Sequence, residues 1–265
     1  MNFRTLDLLR LNSATKYPSI PTFHTIGEKG RLQEEHLPLP DAPLYASEKI
    51  DGTNARILVP TAPDLDTPRW IIGSREELLC ADGDLIGDPS LGIVSAVREI
   101  ASRAADALFG HRLALFVLYG EVYGGRVSAA SRAYTKTGSV GFRLFDMVAF
   151  TAAQLEEALG KDRADISSWR EHGGQTFLDV DSLTAVAGRL DLKQPPRLAI
   201  PRPIPSSVVD AAVWLSEVVP LLTHAGLDGE PGRAEGCVVR TADRKFIAKL
   251  RFEDYERTLG MGRRR

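Results

Sequence analysis

Cysteine is scarce in this sequence, and long apolar runs are lacking. The two cysteines, Cys80 and Cys237, lie far apart and neither belongs to a CxxC pair, which excludes a zinc-ligand spacing and a disulfide framework. No segment reaches the roughly 20 apolar residues that span a bilayer, and the first residues carry no secretory cleavage pattern. We therefore expect a cytoplasmic protein that has no membrane partner.

An excess of charge of one sign is also lacking. The formal net charge is −2, with 43% hydrophobic and 26% charged residues. This balance excludes a globally basic coat protein, but it permits a local basic groove because only the surface that faces phosphate must be positive. No P-loop, GxSxG, HExxH or usable GxGxxG motif is present, and the five histidines are scattered. Function must therefore be sought in a less common pattern.

The apolar pattern predicts an α+β fold with mainly antiparallel sheets, because strands cluster along the chain instead of alternating with helices. Prolines predict a loop-rich extension at residues 1–42, packed on a domain at 43–258 that is followed by a basic tail at 259–265. The predicted strands cover residues 44–49, 54–60, 69–75, 112–125, 141–150, 237–241 and 245–252. The predicted helices cover residues 88–110, 151–160, 181–190 and 207–226.

The stretch ASEKIDGTNARILV, residues 46–59, contains the least expected lysine. Lys49 lies at the end of a predicted strand and is followed at once by Asp51, Gly52 and Asn54. A lysine in such a place is costly unless its charge is paired or its chemistry is used. A lysine amine attacks phosphorus only when it is neutral, and its free pKa is about 10.4. A nucleophilic lysine should therefore lie among other basic groups.

Six short segments occur in a fixed order along the chain. They are EKIDGTN (48–54), GSREELL (73–79), LYGEVYGG (118–125), FRLFDM (142–147), EGCVVR (235–240) and KFIAKLR (245–251). In this order they resemble motifs I, Ia, III, IIIa, IV and V of the covalent nucleotidyltransferase superfamily, which contains DNA ligases, RNA ligases and mRNA capping enzymes. The resemblance implies the nucleotidyltransferase (adenylyltransferase) fold for residues 43–258.

Asn54 restricts the resemblance to one group within this superfamily. DNA ligases and capping enzymes typically carry arginine two residues after the motif I glycine, whereas RNA ligases of the second phage type carry asparagine. The chain therefore resembles an ATP-dependent RNA ligase of that second type. This family implies a reaction in three steps, in which Lys49 takes AMP from ATP, AMP passes to an RNA 5′-phosphate, and an RNA 3′-hydroxyl displaces AMP.

The resemblance also implies which residues handle phosphate and metal. Lys49 would be the nucleophile, and Lys249 would contact the α-phosphate. Arg251 stands where the family usually has a second lysine, so its place in the nucleotide site is less closely defined. Glu235 would organise Mg²⁺ or Mn²⁺ through water, since hard cations prefer oxygen ligands.

The nucleoside would be held by a second set of residues. By resemblance, Glu121 would bind the ribose hydroxyls, Phe142 would stack on adenine and Glu48 would lie near the adenine edge. Asn54 and Arg75 complete the expected nucleotide-binding set. Taken singly, each of these residues also has an ordinary explanation; Arg75, for example, could be a surface partner of a neighbouring glutamate.

The expected partners are RNA ends, held by a local groove, with an accessory RNA-binding protein as a candidate partner. The groove would use Arg126, Arg132, Lys136 and Arg143. Residues 252–265 are too few for an independently folded domain, so we expect no separate C-terminal nucleic-acid-binding domain. The alternative functions are a capping-type guanylyltransferase, a small DNA ligase, or a catalytically silent nucleotide- or RNA-binding protein.

Overall fold

The computed structural model describes residues 7–61, 67–82, 84–87 and 92–260. In chain order, the helices of this part are α1 (Leu8–Thr15), α2 (Ile93–Leu108), α3 (Ala152–Gly160), α4 (Arg163–Glu171), α5 (Val180–Arg189), α6 (Val208–Val218) and α7 (Phe252–Leu259). The strands are β1 (His24–Ile26), β2 (Leu32–His36), β3 (Leu44–Lys49), β4 (Thr53–Pro60), β5 (Ile71–Ser74), β6 (Leu78–Ala81), β7 (Asp84–Leu85), β8 (Leu115–Gly124), β9 (Val140–Phe150), β10 (Arg197–Leu198), β11 (Gly236–Thr241) and β12 (Ile247–Arg251).

The chain forms two compact units. Unit 1 comprises the described residues within Met1–Ser19, Gly52–Ala129 and Val140–Gln194. Unit 2 comprises those within Ile20–Asp51, Ala130–Ser139 and Pro195–Arg265. The KIDG motif therefore crosses from unit 2 to unit 1 between Asp51 and Gly52.

Unit 1 is built on a six-stranded antiparallel sheet in the order β7-β6-β5-β4-β8-β9. Side chains of one strand alternate between its two faces. Ile57 and Val59 of β4 pack in the cluster that contains α2, whereas Leu58 packs in the cluster that contains Leu11 of α1. Because helices cover both faces, β4 and β8 read as nearly continuous apolar runs.

Unit 2 contains a four-stranded sheet in the order β10-β3-β11-β12 and the β1-β2 hairpin. One face of the larger sheet packs Ala46, Cys237 and Leu250 against Trp214 of α6 and Tyr255 of α7. The other face carries most of the charged side chains, and we call it the cationic face. Its partly exposed residues include Ser47, Lys49, Val238, Lys249 and Arg251.

The α+β prediction and the main strands are confirmed, as is the capping box of α3, in which Thr151 and Gln154 bond reciprocally. The helix expected at 88–110 is α2; its proposed start at Asp88 or Ser90 lies outside the described residues. The C-terminal end predicted for the helix at 207–226 is wrong, because α6 stops at Val218, two residues before Pro220.

Three helices were not predicted. Residues 1–42, expected to be rich in loops, contain α1, β1 and β2. The Asp7 carboxylate caps α1 by accepting hydrogen bonds from the N–H groups of Leu9 and Arg10. Residues 163–171 form α4. The strand expected to reach Phe252 ends instead at Arg251, and α7 begins at Phe252. Among the described residues, no helix is long and apolar enough to cross a membrane.

Candidate active site

Lys49 is the last residue of β3 and lies on the cationic face of unit 2. The strand register places Lys49 opposite Gly236, and Gly236 opposite Arg251, in one row across three strands. Lys249 lies in the next row, because Val238 faces both it and Ser47. Residues directly opposite each other share a face of the sheet. Three cations thus come from two strands to one surface.

The partner of Lys49 is Glu235, the residue immediately before β11. Lys49 Nζ donates a hydrogen bond to Glu235 Oε2 at 2.6 Å. The two side chains are 26% and 18% exposed, so the pair is shielded from bulk water but still accessible. Burial raises the pKa of Glu235 above its ordinary value, and the adjacent Lys49 charge opposes that rise. The lysine that the sequence singled out is therefore charge-paired within unit 2.

Removing Lys49 is expected to make stability depend on pH through Glu235. In Lys49→Ala the buried carboxyl loses its cation, so its folded pKa rises further above the ordinary 4.5. A raised folded pKa gives stability that is complete below the unfolded pKa and is lost as pH rises through the folded one. We expect a loss of about 1–3 kcal/mol at neutral pH. Urea unfolding of Lys49→Ala between about pH 4.5 and about pH 8 measures it.

The control for that experiment is the double variant Lys49→Ala/Glu235→Gln, which has no carboxyl to ionise at this position. The decline with rising pH that is attributed to Glu235 should be missing from its free energy of unfolding over the same range of pH. An equal decline in the single and the double variant would contradict the assignment to Glu235.

Gly236 allows the sheet to close between Lys49 and Arg251. A Cβ atom at this position would lie 2.1 Å from the Leu250 carbonyl oxygen, which no real side chain can do. The residue is also buried. Only glycine therefore fits at this position, where the backbones of β11 and β12 approach each other closely.

Arg251 is held by Asp254, in the first turn of α7. Its Nε and Nη2 atoms donate to the two carboxylate oxygens of Asp254, each at 2.8 Å. The side chains of Arg251 and Asp254 are 28% and 2% exposed. A lysine could not form this fork, so the departure from the usual family residue has a structural partner. Asp254 was not found from sequence; an acid three residues after Arg251 was the available signal.

The backbone of Lys249 is hydrogen-bonded to residues 21–23. Its N–H donates to the Pro21 carbonyl at 2.9 Å and its carbonyl accepts from the Phe23 N–H at 3.0 Å. Residues 21–23 thereby cover the edge of β12. The Lys249 side chain is partly exposed on the cationic face.

The Glu48 side chain points away from the cationic face. It is 1% exposed and, by strand alternation, lies on the side of β3 opposite to Lys49. Its carboxylate accepts hydrogen bonds from the Thr223 hydroxyl and, at 2.9 Å, from the His224 N–H. The carboxylate thus anchors residues 223–224, and the contact of Glu48 with adenine stays a prediction.

Asn54 and Glu121 face each other across β4 and β8 in unit 1. One Glu121 carboxylate oxygen accepts a hydrogen bond from the Gly52 N–H at 3.2 Å. Asn54 Oδ1 is buried and has no hydrogen-bond partner among the described residues. Buried acceptors are normally satisfied, so this oxygen is an exception.

Phe142 of β9 lies opposite Val122 of β8. A side chain at Gly120 would meet the Phe142 ring at 2.1 Å, so the ring lies directly against the backbone of that glycine. Arg75 has a 62% exposed side chain, and its Nε lies 3.7 Å from Glu76 Oε1. Arg75 is thus an exposed partner of a neighbouring glutamate. A role for Arg75 in binding nucleotide stays a prediction.

The four residues of the expected RNA groove are divided between the units. Arg126 and Arg143 belong to unit 1, and Arg132 and Lys136 belong to unit 2. Arg126, Arg132 and Lys136 are exposed. The Arg143 guanidinium donates to the Tyr123 hydroxyl and to the Gln194 carbonyl, both at 3.0 Å. Three of the four side chains are therefore presented to solvent.

The fold is similar to the RNA ligase nucleotidyltransferase fold of known structures. Naegleria gruberi RNA ligase with PPi is 15% identical, with a TM-score of 0.52 over 82% of this chain and 52% of that one. A mutant of the same ligase with ATP and Mn is 15% identical, with a TM-score of 0.54 over 92% of this chain and 61% of that one. The likeness concerns the fold, and the chain spans between half and two thirds of those ligase chains.

The RNA ligase family matches residues 42–251, which is most of the chain. The chain belongs to the RNA ligase family, as its six motifs predicted. A comparison with curated proteins finds no match.

Proposed function

We propose that this chain catalyses ATP-dependent joining of RNA ends and that the reaction begins with transfer of AMP from ATP to Lys49. The observation that carries the proposal is the hydrogen bond between Lys49 and Glu235, on a sheet face that also presents Lys249 and Arg251. Cations beside a lysine nucleophile favour the neutral amine and stabilise the charge that develops on the phosphate oxygens.

The first step exchanges one bond at phosphorus for another. Lys49 Nζ attacks the α-phosphorus of ATP, a P–N bond forms, the bond to the bridging oxygen breaks, and pyrophosphate leaves. The ammonium must first lose a proton, which passes to water at this partly exposed site. Lys249 and Arg251 would stabilise the charge that develops on the phosphate oxygens.

The single carboxylate of Glu235 fits a divalent cation whose other ligands are water and substrate oxygens. No group of three or more His, Cys, Asp or Glu side chains that could hold a metal occurs among the described residues. Mg²⁺ is characteristically bound by one or two carboxylates together with water and substrate phosphates. Glu235 would hold such an ion, Mg²⁺ or Mn²⁺. When bound, the ion would neutralise negative charge on the phosphates.

ATP is the proposed nucleotide. The support is the set of solved relatives, which include a Naegleria gruberi ligase mutant with ATP and Mn. The roles of Asn54, Glu121, Phe142, Arg75 and Glu48 toward the nucleotide remain part of the same proposal.

The remaining two steps complete the ligation. The 5′-phosphate of one RNA attacks the phosphorus of lysyl–AMP, which frees Lys49 and forms a 5′–5′ phosphoanhydride. The 3′-hydroxyl of the other RNA then attacks the RNA phosphate and releases AMP, leaving a phosphodiester. RNA ends are thus the proposed substrates, and Arg126, Arg132 and Lys136 are the proposed phosphate contacts. An accessory RNA-binding protein and a cytoplasmic setting belong to the same proposal.

We expect covalent labelling by ATP and not by GTP. The purified chain is incubated with Mg²⁺ or Mn²⁺ and with ATP or GTP that carries the label on the α-phosphate, and label is then read on a denaturing gel. Labelling by ATP at more than about ten times the rate of GTP would support the proposal, a difference of about 1.4 kcal/mol. Equal or faster labelling by GTP would indicate a capping-type guanylyltransferase. No label from either nucleotide would indicate a binding protein.

A further inference from the structure

Residues 130–139 belong to unit 2, although the segments before and after them in the chain belong to unit 1. They connect β8 to β9, which both belong to unit 1, yet the segment itself clusters with unit 2. It begins with a short 3-10 turn at Ser131–Ala133 and continues into Tyr134. Tyr134 is 1% exposed. A buried aromatic residue thus anchors this segment in unit 2.

The Tyr134 hydroxyl binds the turn that follows Lys49. Its oxygen accepts a hydrogen bond from the Asp51 backbone N–H at 2.7 Å. The β3 strand ends at Lys49, and Asp51 lies two residues further on. Burial raises the pKa of the Tyr134 hydroxyl well above its usual range. Burial thus favours the neutral phenol.

The backbone around Tyr134 binds the loop that leads to Glu235. The Tyr134 carbonyl accepts from the Leu227 N–H at 2.7 Å, and the Ala133 carbonyl accepts from the Gly232 N–H at 2.8 Å. Both donors lie in the loop before Glu235. The Tyr134 hydroxyl therefore holds the turn that follows Lys49, and the backbone at residues 133–134 holds the loop that leads to Glu235.

Asp228, in the same loop, strengthens this connection. Its carboxylate accepts from the hydroxyls of Thr135 and Thr137, at 2.6 and 2.7 Å. It also accepts from the N–H groups of Lys136 and Thr137, at 2.5 and 3.1 Å. Four donors on three consecutive residues thus converge on one carboxylate, and they fix the loop against the segment that carries Tyr134.

We propose that Tyr134 is a positioning residue for the adenylyl transfer, because it fixes the Asp51 turn and the loop before Glu235 together. This inference rests on the proposed function. A lysine has four flexible methylene groups, so the geometry of attack depends on a fixed backbone at its base. Displacements of about 1 Å far from the chemistry can lower a rate by about 100-fold.

The test deletes one atom. Tyr134→Phe keeps the buried ring and removes the hydroxyl that accepts from Asp51. The matched control is Tyr255→Phe, which removes a hydroxyl bonded to His24 Nδ1 at 2.9 Å from a residue that is 3% exposed in the same unit. At saturating ATP, Tyr134→Phe should form lysyl–AMP about tenfold more slowly, while its KM for ATP changes less than about twofold. Tyr255→Phe should keep the rate of the unaltered chain.

A second measurement does not depend on activity. Hydrogen exchange of the Asp51 amide, followed by NMR, should accelerate in Tyr134→Phe and stay unchanged in Tyr255→Phe. A wild-type rate in folded Tyr134→Phe would overturn the inference, whatever the amide does. An equal loss of rate in both variants would also overturn it, because the effect would then be general destabilisation. If the unaltered chain takes no label, the proposed function itself fails.

Discussion

Replacing Lys49 with arginine is expected to abolish the covalent adduct while leaving the fold intact. Arginine keeps the positive charge beside Glu235, which now accepts a hydrogen bond at 2.6 Å. A guanidinium stays protonated in proteins, so it cannot supply the neutral nitrogen that attacks phosphorus. Labelling by α-labelled ATP should fall by more than about 10³-fold, as expected when a nucleophile is removed.

The matched control is Lys161→Arg. Lys161 also pairs with a glutamate, Glu157, at 3.1 Å, but it does so on the surface of unit 1. Exposed pairs of this kind contribute little, and the control should be labelled at the normal rate. Label that persists in Lys49→Arg would move the nucleophile to another residue.

Replacing Glu235 with glutamine is expected to lower the rate of adenylyl transfer by about 10²–10³-fold. The amide has nearly the same shape, but it lacks the charge that would hold a divalent cation and that pairs with Lys49. The loss should be partly offset as Mn²⁺ is raised, if metal binding is the weakened property. Single-turnover labelling at several Mn²⁺ concentrations measures both effects.

Glu256→Gln is the control for this variant. Glu256 is also a unit 2 glutamate in an ion pair, with Arg233, and its side chain is 18% exposed, the same as that of Glu235. It should retain normal labelling. Equal losses in the two variants would show that removing a half-buried carboxylate from unit 2 is harmful in general, and would contradict a specific role for Glu235.

The sequence predicted the family correctly because the motifs occur in a fixed order, and its assignment of Lys49 as the nucleophile stays a prediction. It did not predict that Lys49 and Glu235 would bond to each other, since that follows from the register of β3 and β11. The contact of Glu48 with adenine stays a prediction, and strand alternation places its side chain on the face of β3 opposite to Lys49. Its bond to residues 223–224 required the fold.

The contacts of Tyr134 and Asp254 were missed in the sequence for different reasons. Tyr134 is 83 residues from Asp51, and nothing in the intervening chain indicates that the two would meet. Asp254 is close to Arg251 in sequence, but the predicted strand ran through Phe252 and hid the first turn of α7. The helix α1 was hidden in the same way, because the prolines that follow it dominated the interpretation of residues 1–42.

The site of the adduct tests the central claim most directly. The chain is incubated with ATP and Mg²⁺, digested, and analysed by tandem mass spectrometry. The account predicts one adenylyl group on the Lys49 side chain, joined through a P–N bond that is lost in acid and stable in alkali. An adenylyl group on any other residue, or an acid-stable linkage at this position, would contradict the account.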